Sequence, residues 1–324
     1  MENKPRVTII MPNYNNGPYL RKCLDSVLNQ TFSDFILLII DDGSTDDSIS
    51  IIKEYDDPRF VLYQKEKNSG IVDSLNIGIE KLETEYFVRL DGDDYMRKDR
   101  IECLVEFMDN NSDFGICGSD MKVFDQDDYS MAYGRNWKEN KAHLVFCHNI
   151  AHPSIIFRSS IFENKEIRYR SNFYLMEDYD LLYRLRDVTK YTSLEEQLYY
   201  YRQTARNEPE AIVQRKKETY LAFYVRILED LGCYYPEAEK VHFELYKNVS
   251  VSFPFKQYKE HCQRILTANK EKSIYPHKEL EEIVQTTLNQ LKYRMMDKAK
   301  LSFLDASGNR ATFKYYIQSK FKKS

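Results

Sequence analysis

Apolar and polar positions alternate in blocks along the first third of the chain. RVTIIMP (6–12) and FILLIID (35–41) are apolar runs of strand length, rich in Ile, Val and Leu, the pattern of strands buried on both faces. FVLYQ (60–64), YFVRL (86–90) and FGICG (114–118) predict three further strands. Between these runs the period changes to that of a helix. Leu20, Cys23, Leu24, Val27 and Leu28 share one face, as do Leu75, Ile79 and Leu82, and again Ile101, Leu104, Val105 and Met108. Another helix is expected after Asp42-Gly43-Ser44-Thr45, with Ser44 or Thr45 as its cap. Repeated strand-then-helix units predict an α/β fold, a mostly parallel, Rossmann-like sheet with helices on both faces.

From about 119 to 205 the alternation stops. Strand-like HPSIIFR (152–158) and LYYYR (198–202) flank one helical stretch from about Asp178 to Val188, as expected of a mixed-sheet half added to the first. Beyond Asn207-Glu208-Pro209 the pattern is mainly helical, broken near Gly232 and at Pro236, Pro254 and Pro276. The expected organisation is a domain over 1–207, in halves 1–118 and 119–207, followed by a helical region over 208–324.

Composition narrows the function. The 324 residues, 42% hydrophobic and 30% charged, suit a folded domain with an appendage. A net charge of -4 argues against a nucleic-acid partner, while 26 tyrosines against one tryptophan lean toward sugar or nucleotide surfaces. Cys23, Cys103, Cys117, Cys147, Cys233 and Cys262 are scattered without a C-x-x-C pair, which reads as reduced thiols rather than a zinc site or disulfide framework. The N-terminal apolar run is short for a signal peptide and no stretch reaches membrane-spanning length. A cytoplasmic protein is expected, and the sequons at Asn29, Asn110 and Asn248 read as chance matches.

Chemistry is expected at the carboxyl ends of the strands, where open α/β sheets bind ligands. Four polar clusters fall there: Pro12-Asn13-Tyr14-Asn15, Asp41-Asp42-Gly43-Ser44, Asn68-Ser69-Gly70 and Asp91-Gly92-Asp93-Asp94. Neither G-x-G-x-x-G nor a P-loop signature accompanies them. Taken alone, the last cluster has three readings. It suits a tight turn, since Asp-Gly favours positive φ. It suits a calcium loop at Glu102, the twelfth position, but not at Tyr95 or at Met96, where that loop needs glycine. It also suits a hard divalent cation held by one or two carboxylates together with substrate phosphates.

The motifs in order, PNYNN, DDGSTDDS, Asn68-Ser69-Gly70 with Asn76, LDGDD, His152-Pro153-Ser154, Glu177-Asp178-Tyr179-Asp180 and Tyr201-Arg202, make residues 6–202 resemble a family 2 glycosyltransferase with the GT-A fold. The resemblance implies a nucleotide-binding half over 1–118 and an acceptor-side half over 119–207. It implies a nucleotide-sugar donor, UDP-linked, and Mn²⁺ or Mg²⁺ as cofactor. The Pro12–Tyr14 turn would flank the base with Asn15, and Asp42, beside Asp41, would accept a hydrogen bond from uracil or ribose. Asn68, Gly70, Asn76, Gly92 and His152 would complete the donor site. Asp91 would face the ribose or sugar and support the metal, Asp93 would bind the metal, and Asp94 would shape the loop. Arg202, or Arg206, would supply a donor to the leaving diphosphate. Asp178 would be the general base, oriented by Glu177, for an inverting transfer to a saccharide or lipid-linked saccharide hydroxyl.

Each motif also has a plain structural reading. Acids in the first turn of a helix are favoured by its dipole, His152 suits a hydrogen-bonded core histidine, and Arg202 and Arg206 suit surface ion pairs. The chain has Lys98 where the family often has proline, and lacks the Q-x-x-R-W motif of processive, membrane-embedded relatives. An enzyme adding one or a few sugars is therefore expected. Residues 208–324 carry little resemblance and suit an appendage, an extended acceptor groove or a homo-oligomer contact. The tail interleaves Lys314, Lys320, Lys322 and Lys323 with Phe313, Tyr315, Tyr316 and Phe321, which suits a peripheral contact with the inner face of an anionic membrane. Two other classes compete, a sugar nucleotidyltransferase and a non-catalytic binder. PNYNNGPYLRK poorly fits the Gly- and Lys/Arg-rich loop of the first, and a binder needs no base.

Overall fold

The computed structural model describes residues 4–173, 175–203, 209–247 and 251–305, with side chains to 296. The expected boundary at 207/208, Arg206, and the basic aromatic tail from 306 lie outside the described residues. The chain divides into two compact units at Phe223/Tyr224.

Unit 1 is built on a mixed sheet. Its parallel half contains β1 (Val7–Asn13), β2 (Phe35–Asp41), β3 (Phe60–Gln64) and β4 (Tyr86–Arg89) in the order β3-β2-β1-β4. β1 and β4 are buried throughout, and each Val, Ile, Leu or Phe so placed contributes about 1.5–3 kcal/mol. The helices α1 (Gly17–Leu28), α3 (Ile71–Glu80) and α4 (Arg100–Asn110) bury the predicted stripes, including Leu20, Cys23, Leu24 and Val27 of α1 and Ile101, Leu104, Val105 and Met108 of α4. Leu82 falls just beyond α3.

One local expectation is corrected. The helix after DDGST, α2, runs Ser48–Lys53 with Asp47 at its N-cap position, so neither Ser44 nor Thr45 caps it. The Ser44 hydroxyl is instead drawn to the buried Asp41 carboxylate, donating to Oδ1 at 2.6 Å. A buried charge outcompetes an exposed helix end for a donor.

The second half of the sheet is longer than its apolar pattern. After the short β5 (Tyr95–Met96), β6 spans Phe114–Asp125, well past the predicted Gly118. Its polar middle is buried because each group finds a partner. Ser154 Oγ accepts from Ser119 N (2.9 Å), and Asp120 Oδ1 accepts from Tyr133 N (3.0 Å) and pairs with Arg135 (2.7 Å). β7 (Tyr129–Met131) pairs antiparallel with β6. After α5 (Trp137–His143), HPSIIFR divides into a 3₁₀ turn at His152–Ser154 and β8 (Ile156–Arg158). The predicted helix near Asp178 is α6 (Glu177–Leu185), and LYYYR is the end of a 14-residue strand, β9 (Lys190–Gln203). β9 runs parallel to β6 and antiparallel to β5, and β8 joins β4 to β6 in antiparallel fashion.

Unit 2 begins within α7 (Glu210–Leu231) and continues through α8 (Ala238–Tyr246), α9 (Phe255–Lys272) and α10 (His277–Asp305). The helices break at Gly232, at φ +75°, and resume just after Pro236, Pro254 and Pro276, as glycine and proline chemistry requires. Arg294 of α10 closes α8 by donating to Leu245 O (2.7 Å) and Lys247 O (2.5 Å). Among the described residues no helix is long and apolar enough to cross a membrane.

Candidate active site

β1 and β2 end in register, Asn13 opposite Asp41. β4 stops earlier, with Arg89 opposite Ile10. That step leaves room beside β1 for the DGDD turn. A cleft of about 570 Å³ opens there, lined by Pro12, Asn13, Tyr14 and Asn16 after β1, Asp42 after β2, and Ile71 and Ser74 of α3. Arg89, Asp91, Gly92 and Asp93 line it from β4, and Leu175, Tyr201, Arg202 and Gln203 from the second half.

The paired aspartates of the DDGS loop do different work. Asp41 is fully buried and accepts from Asn13 Nδ2 (2.9 Å), Ser44 N (3.0 Å) and Ser44 Oγ (2.6 Å); it fastens the loop to β1. Asp42 lines the cleft while accepting from Ser69 N and Gly70 N, both at 2.8 Å, and pairing with Lys65 at 2.6 Å. Asn15, at φ +53°, accepts from Thr45 N (2.8 Å) and so holds the same loop from the other side. Gly43 sits at φ +73°, where a Cβ would lie 2.8 Å from the Lys67 carbonyl carbon. Gly43→Ala is expected to destabilise unit 1 by about 1–3 kcal/mol and to weaken nucleotide binding, read by thermal unfolding and calorimetry.

Two arginines meet the DGDD turn and a third holds the end of the strand before it. Arg89 is 6% exposed, lines the cleft and pairs with Asp91 at 2.7 Å. Arg202 Nε donates to Asp93 O (2.8 Å) and its Nη1 to Asp125 (2.8 Å), with the guanidinium 4.4 Å from the Tyr19 ring centroid and 4.6 Å from that of Phe124. Arg100, fully buried, donates to Arg89 O (2.9 Å) and Pro153 O (3.1 Å). Asp94 points inward, accepting from Tyr199 OH (2.8 Å) and Arg202 N (2.7 Å), and burial with the charges of Asp91 and Asp93 raises its pKa well above the ordinary range. It anchors the turn to β9. A Cβ on Gly92 would lie 2.9 Å from both Asn13 Oδ1 and Asn16 Nδ2, so glycine permits the turn to approach the β1 loop. Asn13 Oδ1 is buried in the cleft wall without a partner among the described residues.

The structure thus brings Pro12, Tyr14, Asp42, Asp91, Gly92, Asp93 and Arg202 into one cleft. The other sequence-derived candidates lie outside its lining. Gly70 serves Asp42 through its N–H, and Asn68 is exposed. Asn76 exchanges two 3.0 Å hydrogen bonds with the Tyr169 backbone. His152 is buried with Nε2 2.7 Å from Tyr169 OH, and burial and Arg89 push its pKa down to about 3. Glu177 and Asp178 open α6. Asp178 Oδ1 accepts from Tyr179 N (2.7 Å), and Oδ2 lies 3.3 Å from His148 Nε2. Burial opposes a charge on Asp178, but His148, together with His152 and the Tyr179 N–H, outweighs it and holds the carboxyl well below the ordinary range; burial and Asp178 raise Glu177. Asp178 is therefore the more readily ionised member of the pair. Arg89 is electrostatically felt by His152, Tyr169 and Glu177, and so links the cleft to this cluster.

Sequence reading missed Arg89, Asn16 and His148, and had Asn13 only as part of the Pro12–Tyr14 turn. Arg89 carried a usable signal, a lone charge inside an apolar strand directly before DGDD. His148 carried none, being thirty residues from Asp178 in an irregular segment.

Comparison with known proteins identifies the family. The model of glycosyl transferase family 2 matches residues 8–173, just over half of the chain. An uncharacterized glycosyltransferase of Haemophilus influenzae is 28% identical over 192 residues, covering 55% of this chain and 59% of that protein. The chondroitin synthase of Pasteurella multocida is 31% identical over 193 residues, covering 59% of this chain but 20% of the synthase. Among solved structures, S. aureus TarS 1-349 aligns with a TM-score of 0.59 and 18% identity over 92% of this chain and 91% of that one. A mannosyltransferase of Pyrobaculum calidifontis, in complex with GDP-Man and Mn²⁺, aligns at 0.54 and 14% over 92% and 87%. The fold is GT-A, and the chain belongs to glycosyl transferase family 2.

Proposed function

We propose that the protein transfers a sugar from a UDP-linked donor to a hydroxyl of a saccharide or lipid-linked saccharide, with inversion, in the synthesis of a cell-surface glycan. The observation that carries this reading is the convergence of Asp42, Asp91, Asp93, Arg89 and Arg202 on one cleft at the carboxyl ends of the parallel strands. TarS, of the same fold, is known in complex with UDP-GlcNAc, and the Pasteurella relatives are polysaccharide synthases. Residues 1–207 form the catalytic domain in this reading.

Tyr14, 46% exposed, offers a face to the base. Asp42, whose oxygens already accept from Ser69 and Gly70, can take one more N–H from a pyrimidine. Asp91, aligned by Arg89, faces the ribose or sugar. Among the described residues no three His, Cys, Asp or Glu side chains form a metal cage. The donor set, Asp93 with Asp91 beside it, fits instead a Mn²⁺ or Mg²⁺ ion completed by phosphates and water. Such an ion, held by Asp93, supplies positive charge against the leaving diphosphate. Arg89 and Arg202 add fixed positive charge at the same end of the cleft, where it costs no reorganisation.

Asp178 takes the acceptor hydroxyl proton as the acceptor oxygen bonds to the anomeric carbon. The anomeric carbon–oxygen bond to phosphate breaks, and its electron pair leaves with the diphosphate. Attack opposite the leaving group inverts the centre. The test is a transfer and hydrolysis screen across UDP-, GDP- and CDP-sugars with Mn²⁺. Turnover of a UDP-sugar supports the proposal, and Asp93→Ala is expected to lower it about 10²-fold or more and to flatten the response to Mn²⁺. Donor binding without turnover would identify a binder, and pyrophosphate release from a nucleoside triphosphate a nucleotidyltransferase; either result overturns the reading.

A further inference from the structure

His148 lies in the irregular segment between α5 and the 3₁₀ turn at His152, and its ring is held from two sides. Nδ1 is 2.8 Å from Ile150 O, and the ring packs against Tyr179, with centroids 5.8 Å apart at 65°. Tyr179 is itself fixed, its hydroxyl donating to Leu144 O at 2.8 Å and its N–H to Asp178 Oδ1 at 2.7 Å. Tyr179 therefore contacts both the imidazole and the carboxylate. Asp178 Oδ2 then meets His148 Nε2 at 3.3 Å.

The chemistry of these atoms fixes where protons sit. A carbonyl oxygen only accepts, so Nδ1 carries a hydrogen toward Ile150 O. An ionised carboxylate also only accepts, so a bare Nε2 lone pair facing it would repel. A proton must lie between Nε2 and Oδ2, and the pair is an imidazolium beside a carboxylate. Among the described residues, the other titratable or charged groups acting here include His152 of the 3₁₀ turn, which burial keeps neutral, Tyr169, whose hydroxyl meets His152, Arg89 of β4, Tyr179 and Glu177. Both side chains stay about one quarter exposed, 26% for His148 and 24% for Asp178, so water reaches the pair.

We propose that His148 is the positioning residue of the general base, holding Asp178 ionised and oriented toward the acceptor hydroxyl. The inference rests on the assignment of Asp178 as base. The hydroxyl proton arrives on an Asp178–His148 pair that already shares one proton, and one of the two is then released to water. Without His148, burial is opposed only by His152 and the Tyr179 N–H, and the carboxyl's pKa moves up. The consequence is specific. The wild-type enzyme keeps its base ionised into mildly acidic solution, and the acid limb of kcat/KM lies low.

The test compares pH profiles of kcat/KM for acceptor in the wild type, His148→Gln, His148→Ala and Asp178→Asn, with UDP binding and thermal unfolding as controls for folding. In both His148 variants the acid limb is expected to rise by about 1–3 pH units, with UDP affinity unchanged. His148→Gln keeps an N–H donor without the charge, so it should retain more kcat at the alkaline plateau than His148→Ala. Full activity in Asp178→Asn overturns the base assignment, and the role of His148 with it. A dead Asp178→Asn alongside an unmoved limb in a folded His148→Gln overturns the His148 proposal alone. Uniform loss at every pH with the limb in place marks a purely structural role and also overturns it.

Discussion

Asp178→Asn is expected to lower kcat for sugar transfer by about 10²–10⁴-fold, the usual contribution of a positioned base, while UDP binding measured by calorimetry stays nearly unchanged. The separation follows from placement. Asp178 opens α6, outside the lining of the cleft that carries Asp42, Asp91 and Asp93. Its carboxylate oxygens face Tyr179 N and His148, so the amide is nearly isosteric and leaves the fold intact. An amide cannot accept the hydroxyl proton, and no donor contact is removed. Substantial activity in this variant would reassign the base.

The largest expected loss of stability comes from Arg100→Ala. Arg100 is fully buried at the start of α4. One guanidinium nitrogen bridges Arg89 O and Pro153 O, and the group lies 4.8 Å from the Tyr199 ring centroid. Burial lowers its pKa to about 10, which leaves it charged at neutral pH. Truncation strands two carbonyls and empties a large volume behind the DGDD turn, costing about 3–5 kcal/mol. Differential scanning calorimetry should show Tm falling by about 6–20 °C. Arg100→Lys should recover only part of that, because a point charge does not span both carbonyls and lacks the planar face presented to Tyr199. A Tm within 2 °C of wild type, roughly the shift of under 1 kcal/mol, would show that the region repacks without it.

The effect should reach the chemistry as well. Arg100 holds the end of β4 through Arg89 O, and Arg89 aligns Asp91. Tyr199, beneath Arg100, holds Asp94. A buried cation thus sets both sides of the turn that carries Asp91 and Asp93 into the cleft.

Local pattern along the chain was enough for the parallel half of the sheet, the helices α1, α3 and α4, the breaks in unit 2, and the strand ends that carry polar clusters. These are local matters. Runs such as FILLIID and stripes such as Leu20, Cys23, Leu24 and Val27 follow from the periods of strand and helix, and Gly232 and Pro254 from backbone sterics. How neighbours of identical chemistry divide their work depends instead on long-range contacts. Asp41 and Asp42 are adjacent and alike, yet one is sealed onto Asn13 and Ser44 while the other faces the cleft. Asp93 and Asp94 part in the same way, because the second is captured by Tyr199 and Arg202 more than a hundred residues later. The polar length of β6 and the pairing of His148 with Asp178 were equally hidden. The reason in each case is that a polar side chain takes its role from whichever partner folding brings within about 3 Å, and no period in the chain records that distance.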